Sequence, residues 1–249
     1  MSVKETNLSN TALKDGEMNV VITGASRGIG KAIAEIFAAN GNHLFLSSRN
    51  ELHLYKTLEE LCTKYPGVTI KARAFDLGIK EQAIEFGEWC LQHCIPDILI
   101  NNAGTFEPGS VYNEADGAFE KQMAININCA YHLSRTLLPK MMERKSGHIF
   151  NLCSIAALKA YANGGSYSIS KYAMLGFSKN LREELKTFNI KVTTVFPGAV
   201  LTDSWGDFDN SSNRILEKED IAKMIFASSL LSPGACVEEI VIRPQLGDL

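Results

Sequence analysis

Two hydrophobic rhythms alternate along this chain. Short apolar runs rich in Val, Ile, Leu and Phe occupy residues 19–23, 43–47, 68–74, 97–100, 147–153, 191–196 and 238–242. Such continuous runs predict strands buried on both faces of a parallel sheet. Between them, apolar residues recur at helical spacing, first through Ile33, Ile36 and Phe37 to about Asn40 and Gly41, then over residues 52–64, 80–93, 115–144, 167–188 and 218–231. Pro139 is expected to bend the longest of these helices or to close off its last turns. Residues 200–214 have no period and are rich in Asp, Asn and Ser. Strand and helix alternate about seven times without a composition break. The expected class is therefore α/β, a doubly wound seven-stranded parallel sheet flanked by helices on both faces. Residues 1–17 have no period and read as a flexible arm, and residues 18–249 read as a single domain.

The first strand breaks at once into a turn holding Gly24, Ser26, Arg27, Gly28, Ile29 and Gly30, and a helix follows. In a Rossmann-type sheet a glycine-rich first turn lets the backbone approach a pyrophosphate, whose charge meets the helix N-terminus. The spacing is Gly-x-x-x-Gly-x-Gly, a weak signal until its place between strand and helix is added. An NAD-binding site carries an acidic residue near the end of the second strand. Here that strand ends in Ser48 and Arg49, with no acid before Glu51. With Arg27, two guanidinium groups and a hydroxyl suit a 2′-phosphate, which favours NADPH over NADH.

A second constellation lies further on. Tyr167 and Lys171 are four apart at the start of a helical stretch, so both side chains leave one face. A phenol normally titrates near ~10. An ammonium one turn away is expected to favour the phenolate and make Tyr167 a better acid–base group. Ser154 follows the strand over residues 147–153, and its hydroxyl is placed to bond the same oxygen that Tyr167 protonates.

Composition adds mainly exclusions. The 25 basic and 28 acidic residues leave a formal charge of −3, no inducement to bind nucleic acid or an anionic membrane. No apolar run approaches the roughly 18 residues of a membrane span. Residues 1–17 lack the apolar core of a secretory signal, so a cytoplasmic protein is expected. The six cysteines form no compact framework. Cys90 and Cys94, with His93 between them, lack further ligands at metal spacing, so reduced thiols and no metal site are expected.

In this order the motifs match a family. Thr23 to Gly30, Asn101 to Gly104, Asn126, Ser154, Tyr167 with Lys171, and Pro197 with Gly198 together resemble the short-chain dehydrogenase/reductase family, NADP-preferring branch, over about residues 18–243. The resemblance implies a catalytic set of Asn126, Ser154, Tyr167 and Lys171. Tyr167 would protonate the carbonyl oxygen and Ser154 would orient it. Lys171 would bind the nicotinamide ribose, and Asn126 would hold a water linking Lys171 to solvent, with Asn128 as a nearby competitor. It further implies that Asp76 and Leu77 flank the adenine, and that Asn102, Ala103 and Gly104 line the cofactor. Pro197 and Gly198 would turn beside the nicotinamide, with Val200 and Thr202 at its carboxamide. Helices over residues 115–144 and 167–188 would form a homotetramer or homodimer surface.

The expected activity is NADPH-dependent interconversion of a ketone or aldehyde with its alcohol. A 3-oxoacyl-carrier-protein reductase is an alternative, although the segment after the last strand lacks the glycine-rich ending common there and looks more like members acting on small carbonyls. The irregular stretch over residues 200–214 is short, which suggests an open pocket. A non-catalytic NADP-binding sensor or scaffold is the alternative of another class, disfavoured because it has no chemical need of the Ser, Tyr and Lys trio. A sugar-nucleotide epimerase or dehydratase would need a larger C-terminal portion.

Overall fold

A computed structural model describes residues 16–248, apart from the side chain of Ser204. The expected arm thus lies outside the described residues except for Gly16 and Glu17. Seven strands, β1 (Asn19–Thr23), β2 (His43–Ser47), β3 (Ile70–Ala72), β4 (Ile98–Asn101), β5 (Gly147–Leu152), β6 (Ile190–Pro197) and β9 (Glu239–Ile242), form one sheet in the order β3-β2-β1-β4-β5-β6-β9. Every pairing is parallel. This is the expected doubly wound sheet, with strand order reversing between β1 and β4.

Alternate residues of each strand point to opposite faces and each face meets helices. Val20, Ile22, Leu44 and Leu46 join a core with Ile33 and Phe37 of α1 (Gly28–Ala39) and Ile221 and Ile225 of α7 (Lys218–Ser229). Val21, Phe45, Leu99 and Ile149 join another with Phe86 of α3 (Lys80–Leu91) and Leu133 and Leu137 of α5 (Cys129–Arg144). Each fully buried side chain of this size contributes about 1.5–3 kcal/mol, so the sheet is a stiff platform for whatever its edge carries. Helix α2 (Glu51–Lys64) and α6 (Gly165–Leu185) complete the two layers.

Three expectations are revised. The long helix over 115–144 is not continuous: α4 (Ala118–Met123) passes into a π-helical turn, Ala124–Asn128, before α5. A π turn adds a residue between bonded partners and looks helical in hydrophobic spacing, which is why periodicity ran through it. Pro139 neither stops nor shortens α5, which continues to Arg144. The stretch over 200–214 is not wholly irregular, because β7 (Val200–Leu201) pairs with β8 (Leu216–Glu217) and Asp203–Trp205 makes a 3-10 turn.

Among the described residues no helix is long and apolar enough to cross a membrane. No group of three or more His, Cys, Asp or Glu among them is arranged to hold a metal ion. All six cysteines are free.

Candidate active site

The chemistry-bearing residues meet where β5 hands over to α6. Ser154 leaves β5 in an extended conformation, and its Oγ accepts from the Ala156 N–H at 3.1 Å. That leaves the hydroxyl proton to donate, and the hydroxyl lies near enough to the Tyr167 phenol to favour its phenolate. The Ser168 hydroxyl donates to the Ala156 carbonyl at 2.8 Å, so the turn after Ser154 and the start of α6 are tied together. The Cys153 thiol adds a contact to the Lys171 carbonyl at 3.1 Å.

Lys171 follows Tyr167 by one turn, with Nζ 5.7 Å from the phenol ring centre. Nζ donates to the Leu152 carbonyl at 3.0 Å, and the side chain is buried. Burial pushes the Lys171 ammonium below its ordinary range. It pushes the Tyr167 phenol up, opposed by the neighbouring Ser154 hydroxyl, and the nearby Cys153 thiol adds to the rise. The sequence-based expectation that Lys171 lowers the phenol is therefore not what the free chain shows. A desolvated phenolate lacks water, and the ammonium is turned to a carbonyl of β5.

Asn126 sits in the π-helical turn and is fully buried, whereas Asn128 is exposed. Its Oδ1 accepts from the Thr105 N–H at 2.7 Å. Its Nδ2 donates to the Thr105 carbonyl at 3.0 Å and to Ser170 Oγ at 2.9 Å. The amide foreseen as a water holder is thus engaged by protein groups, joining the loop after β4 to α6. A Cβ added at Gly104 would lie 3.3 Å from Asn126 Oδ1 and 3.6 Å from Lys171 Nζ, so these groups share one corner.

The glycine turn sits beside this corner. Gly28 has φ +55°, and a Cβ added there would meet only the Thr202 side chain, at 3.4 Å. A Cβ on Gly30 would come within 2.3 Å of the Gly24 carbonyl oxygen and 2.5 Å of Asn102 Nδ2. Helix α1 has no side-chain cap and no acid in its first turn, so its leading N–H groups offer a cradle for an anion. Ile29 packs on the core beneath.

The Ser48 hydroxyl donates to Ser26 Oγ at 2.9 Å, which joins the glycine turn to the end of β2. Arg49 is exposed and makes no ion pair among the described residues. Arg27 lies 3.7 Å from Asp203 with both side chains well exposed, a weak pairing that leaves the guanidinium easy to redirect. Asp76 accepts from the Gly78 N–H on one carboxylate oxygen at 3.1 Å, and the other takes no hydrogen bond from the described residues. Leu77 is buried beside it.

Asn102 lies at the cleft, but its amide serves the protein. Nδ2 donates to the Thr23 carbonyl at 2.9 Å and the Gly24 carbonyl at 3.2 Å. Thr23 Oγ1 accepts from the N–H groups of Asn102 and Ala103, at 3.0 and 2.9 Å. On the far side, β6 ends at Pro197, and the Gly198 N–H donates to the Ile242 carbonyl at 2.8 Å. Val200 is buried, and Thr202 opens the following 3-10 turn.

Sequence spacing missed several residues here. Thr105, Ser168 and Ser170 act through contacts made between distant segments. Phe106 lies edge-on to the Tyr167 ring with centroids 4.8 Å apart, and no local pattern marks it.

The family model described as short chain dehydrogenase matches residues 18–213. The chain belongs to that family. Sepiapterin reductase from Chlorobaculum tepidum is 33% identical over 240 residues, covering 92% of this chain and 97% of that protein. L-Sorbose reductase from Gluconobacter frateurii, solved with NADPH and L-sorbose, superposes with a TM-score of 0.83 at 28% identity, covering 91% of this chain and 95% of the other. An alcohol dehydrogenase from Thermococcus sibiricus, solved with 5-hydroxy-NADP, gives a TM-score of 0.85 at 25% identity, covering 92% and 97%. Membership in this family makes the chain an oxidoreductase of the CH–OH and C=O couple.

Proposed function

We propose that this short-chain dehydrogenase is an NADPH-dependent reductase interconverting a small ketone or aldehyde with its alcohol. The reading is carried by one observation: the Ser154 hydroxyl neighbours the Tyr167 phenol, and Lys171 follows one turn on with its Nζ 5.7 Å from the phenol ring centre. Relatives solved with NADPH and 5-hydroxy-NADP support the choice of cofactor, and two relatives named as reductases support the choice of reaction.

The uncapped first turn of α1, with Gly24, Gly28, Ile29 and Gly30, would hold the pyrophosphate. Ser26, Arg27, Ser48 and Arg49 would take the 2′-phosphate, and Asp76 with Leu77 the adenine. Asn102, Ala103, Gly104, Pro197, Gly198, Val200 and Thr202 would line the remainder, with Lys171 on the ribose. When bound, NADPH supplies the hydride. Tyr167 keeps its proton at neutral pH because burial holds the phenol high, and it gives that proton to the carbonyl oxygen of the substrate. Ser154 donates to the same oxygen and fixes its position. Asn126 keeps α6 and the Thr105 loop in register around them.

The enzyme works in the cytoplasm as a homotetramer or homodimer. Tyr131 on α5 and Ile169 and Tyr172 on α6, each about 40% or more exposed, supply an apolar surface for that assembly.

The test is NADPH oxidation against a panel of ketones and aldehydes, with wild type beside Tyr167→Phe. Wild type is expected to turn over members of the panel. The variant is expected to bind NADPH normally and to lose activity by about 10²–10⁴-fold, the usual worth of a positioned acid. NADPH binding without turnover of any member would favour a non-catalytic sensor.

A further inference from the structure

Glu114 lies on the loop between β4 and α4, 52 positions before Ser166, yet its carboxylate closes on the first turn of α6. The Ser166 N–H donates to Oε2 at 3.1 Å and the Ser166 hydroxyl donates to Oε1 at 2.5 Å. Both carboxylate oxygens are thereby committed to the residue just before Tyr167. A helix start leaves N–H groups unpartnered and carries partial positive charge, so a carboxylate suits it. The start of α1 has no such partner and remains open to an outside anion. The two helix starts at this edge are thus finished differently, one by the protein itself.

The loop is built to hold Glu114 there. The Glu114 N–H donates to the Ser110 carbonyl at 2.8 Å. The Gly109 N–H donates to the Asn163 carbonyl at 3.1 Å, and the Ser110 hydroxyl to Asn163 Oδ1 at 2.9 Å. Gly165 has φ +35°, and a Cβ there would lie 2.3 Å from the Gly109 carbonyl oxygen and 2.8 Å from Glu114 Oε2. Only glycine lets loop and helix come this close. Ser166 is fully buried under the contact.

We propose that Glu114 is a positioning residue, which clamps the first turn of α6 to the β4–α4 loop and so sets the Tyr167 phenol against the Ser154 hydroxyl. It acts through Ser166. The inference rests on the reductase reading of the site and adds a residue that the reading does not contain. The groups facing the phenol are the Ser154 hydroxyl, the Cys153 thiol, the Tyr161 phenol and, one turn on, Lys171.

Glu114→Ala and Glu114→Gln are compared with wild type in two measurements on the full chain. One is the ultraviolet titration of Tyr167, taken as the difference from the same protein carrying Tyr167→Phe. The other is kcat, KM and the pH profile of NADPH oxidation. Ile149→Val, in the core far from the site, serves as the control for lost stability. In Glu114→Ala the Tyr167 titration is expected to move upward, because the phenol drifts from the Ser154 hydroxyl that favours its phenolate. The basic limb of the kcat profile is expected to move with it, kcat to fall about 10–100-fold, and KM for NADPH to stay within about twofold. Glu114→Gln retains one acceptor, so it is expected between wild type and Ala, and it carries the test alone if Ala does not fold. Unchanged titration in both Glu114 variants, or a loss of kcat no larger than that of Ile149→Val, would overturn the proposal. A wild type inactive on every carbonyl would sink the reductase reading, while the Tyr167 titration would still decide the role of Glu114.

Discussion

The Lys171 ammonium donates to the Leu152 carbonyl at 3.0 Å, tying the helix that carries Tyr167 to the strand that delivers Ser154. One side chain therefore ties together the two segments that carry the Ser154 and Tyr167 hydroxyl groups. Lys171→Met keeps most of the buried stem and removes the charge. It leaves a buried carbonyl without its partner, so thermal unfolding is expected to show a loss of about 1–3 kcal/mol. NADPH affinity and kcat are expected to fall together. A loss confined to one of them would contradict the double role given to this residue.

The glycine turn makes a sharper demand. Gly30→Ala places a methyl group 2.3 Å from the Gly24 carbonyl oxygen, a backbone atom that cannot step aside. The expected outcome is a loss of about 1–3 kcal/mol in stability and a large loss of NADPH binding. Gly176→Ala, in α6, meets nothing within 4 Å and is expected to stabilise by about 0.5–1 kcal/mol. Denaturant unfolding of the pair, with NADPH titration, distinguishes close packing in the turn from ordinary helix propensity.

Arg49 stands exposed and unpaired by any described carboxylate, as its proposed role toward a 2′-phosphate requires. Arg49→Asp is expected to weaken NADPH binding by roughly 10–100-fold, the worth of one charge-assisted hydrogen bond. It should also improve NADH, since a carboxylate accepts from a ribose hydroxyl. Titration of both dinucleotides checks this, and equal NADPH affinity in variant and wild type would remove Arg49 from the site.

His148 gives the fold an acid limit. Its Nε2 is 2.7 Å from Thr193 Oγ1, and the Thr193 hydroxyl donates to the Val237 carbonyl, so the neutral ring is the donor to Thr193. Burial, assisted by the Lys191 charge, lowers the imidazole to about 3 from an ordinary 6.5. Below pH 6.5 the unfolded chain therefore binds a proton that the folded chain refuses until about 3. Stability from this residue is complete above 6.5 and falls by about 1.4 kcal/mol per pH unit between those values. Relative to His148→Gln, wild type is expected to lose roughly 2 kcal/mol between pH 7 and pH 5, measured by urea unfolding.

What the sequence displayed openly was whatever local spacing encodes. Val20 to Ile22 run apolar because both faces of β1 are covered, and Tyr167 and Lys171 share a face because they are one turn apart. Ser154 was visible because β5 ends beside it. Glu114 was not, since nothing around it announces a partner 52 residues away. The family resemblance assigned Asn102 to the cofactor lining, and what no spacing showed is that its amide also bonds the carbonyls of Thr23 and Gly24. The π turn at Ala124–Asn128 escaped because its apolar residues keep nearly helical spacing while the bonding register slips. The direction of the Tyr167 shift was missed because burial is a property of the assembled site.

The reversal of strand order between β1 and β4 divides labour along the sheet. The glycine turn, Ser48, Arg49 and Asp76 all belong to the β1–β3 half. Asn126, Ser154, Tyr167 and Lys171 all belong to the half that begins with β4. Thr23 and Asn102 are the rivets across the seam. On the proposed reading, a lineage can remodel the substrate loops of the second half while the grip on the pyrophosphate and 2′-phosphate in the first half stays untouched, and a chimera joined at this seam takes that grip from one parent and the carbonyl pocket from the other.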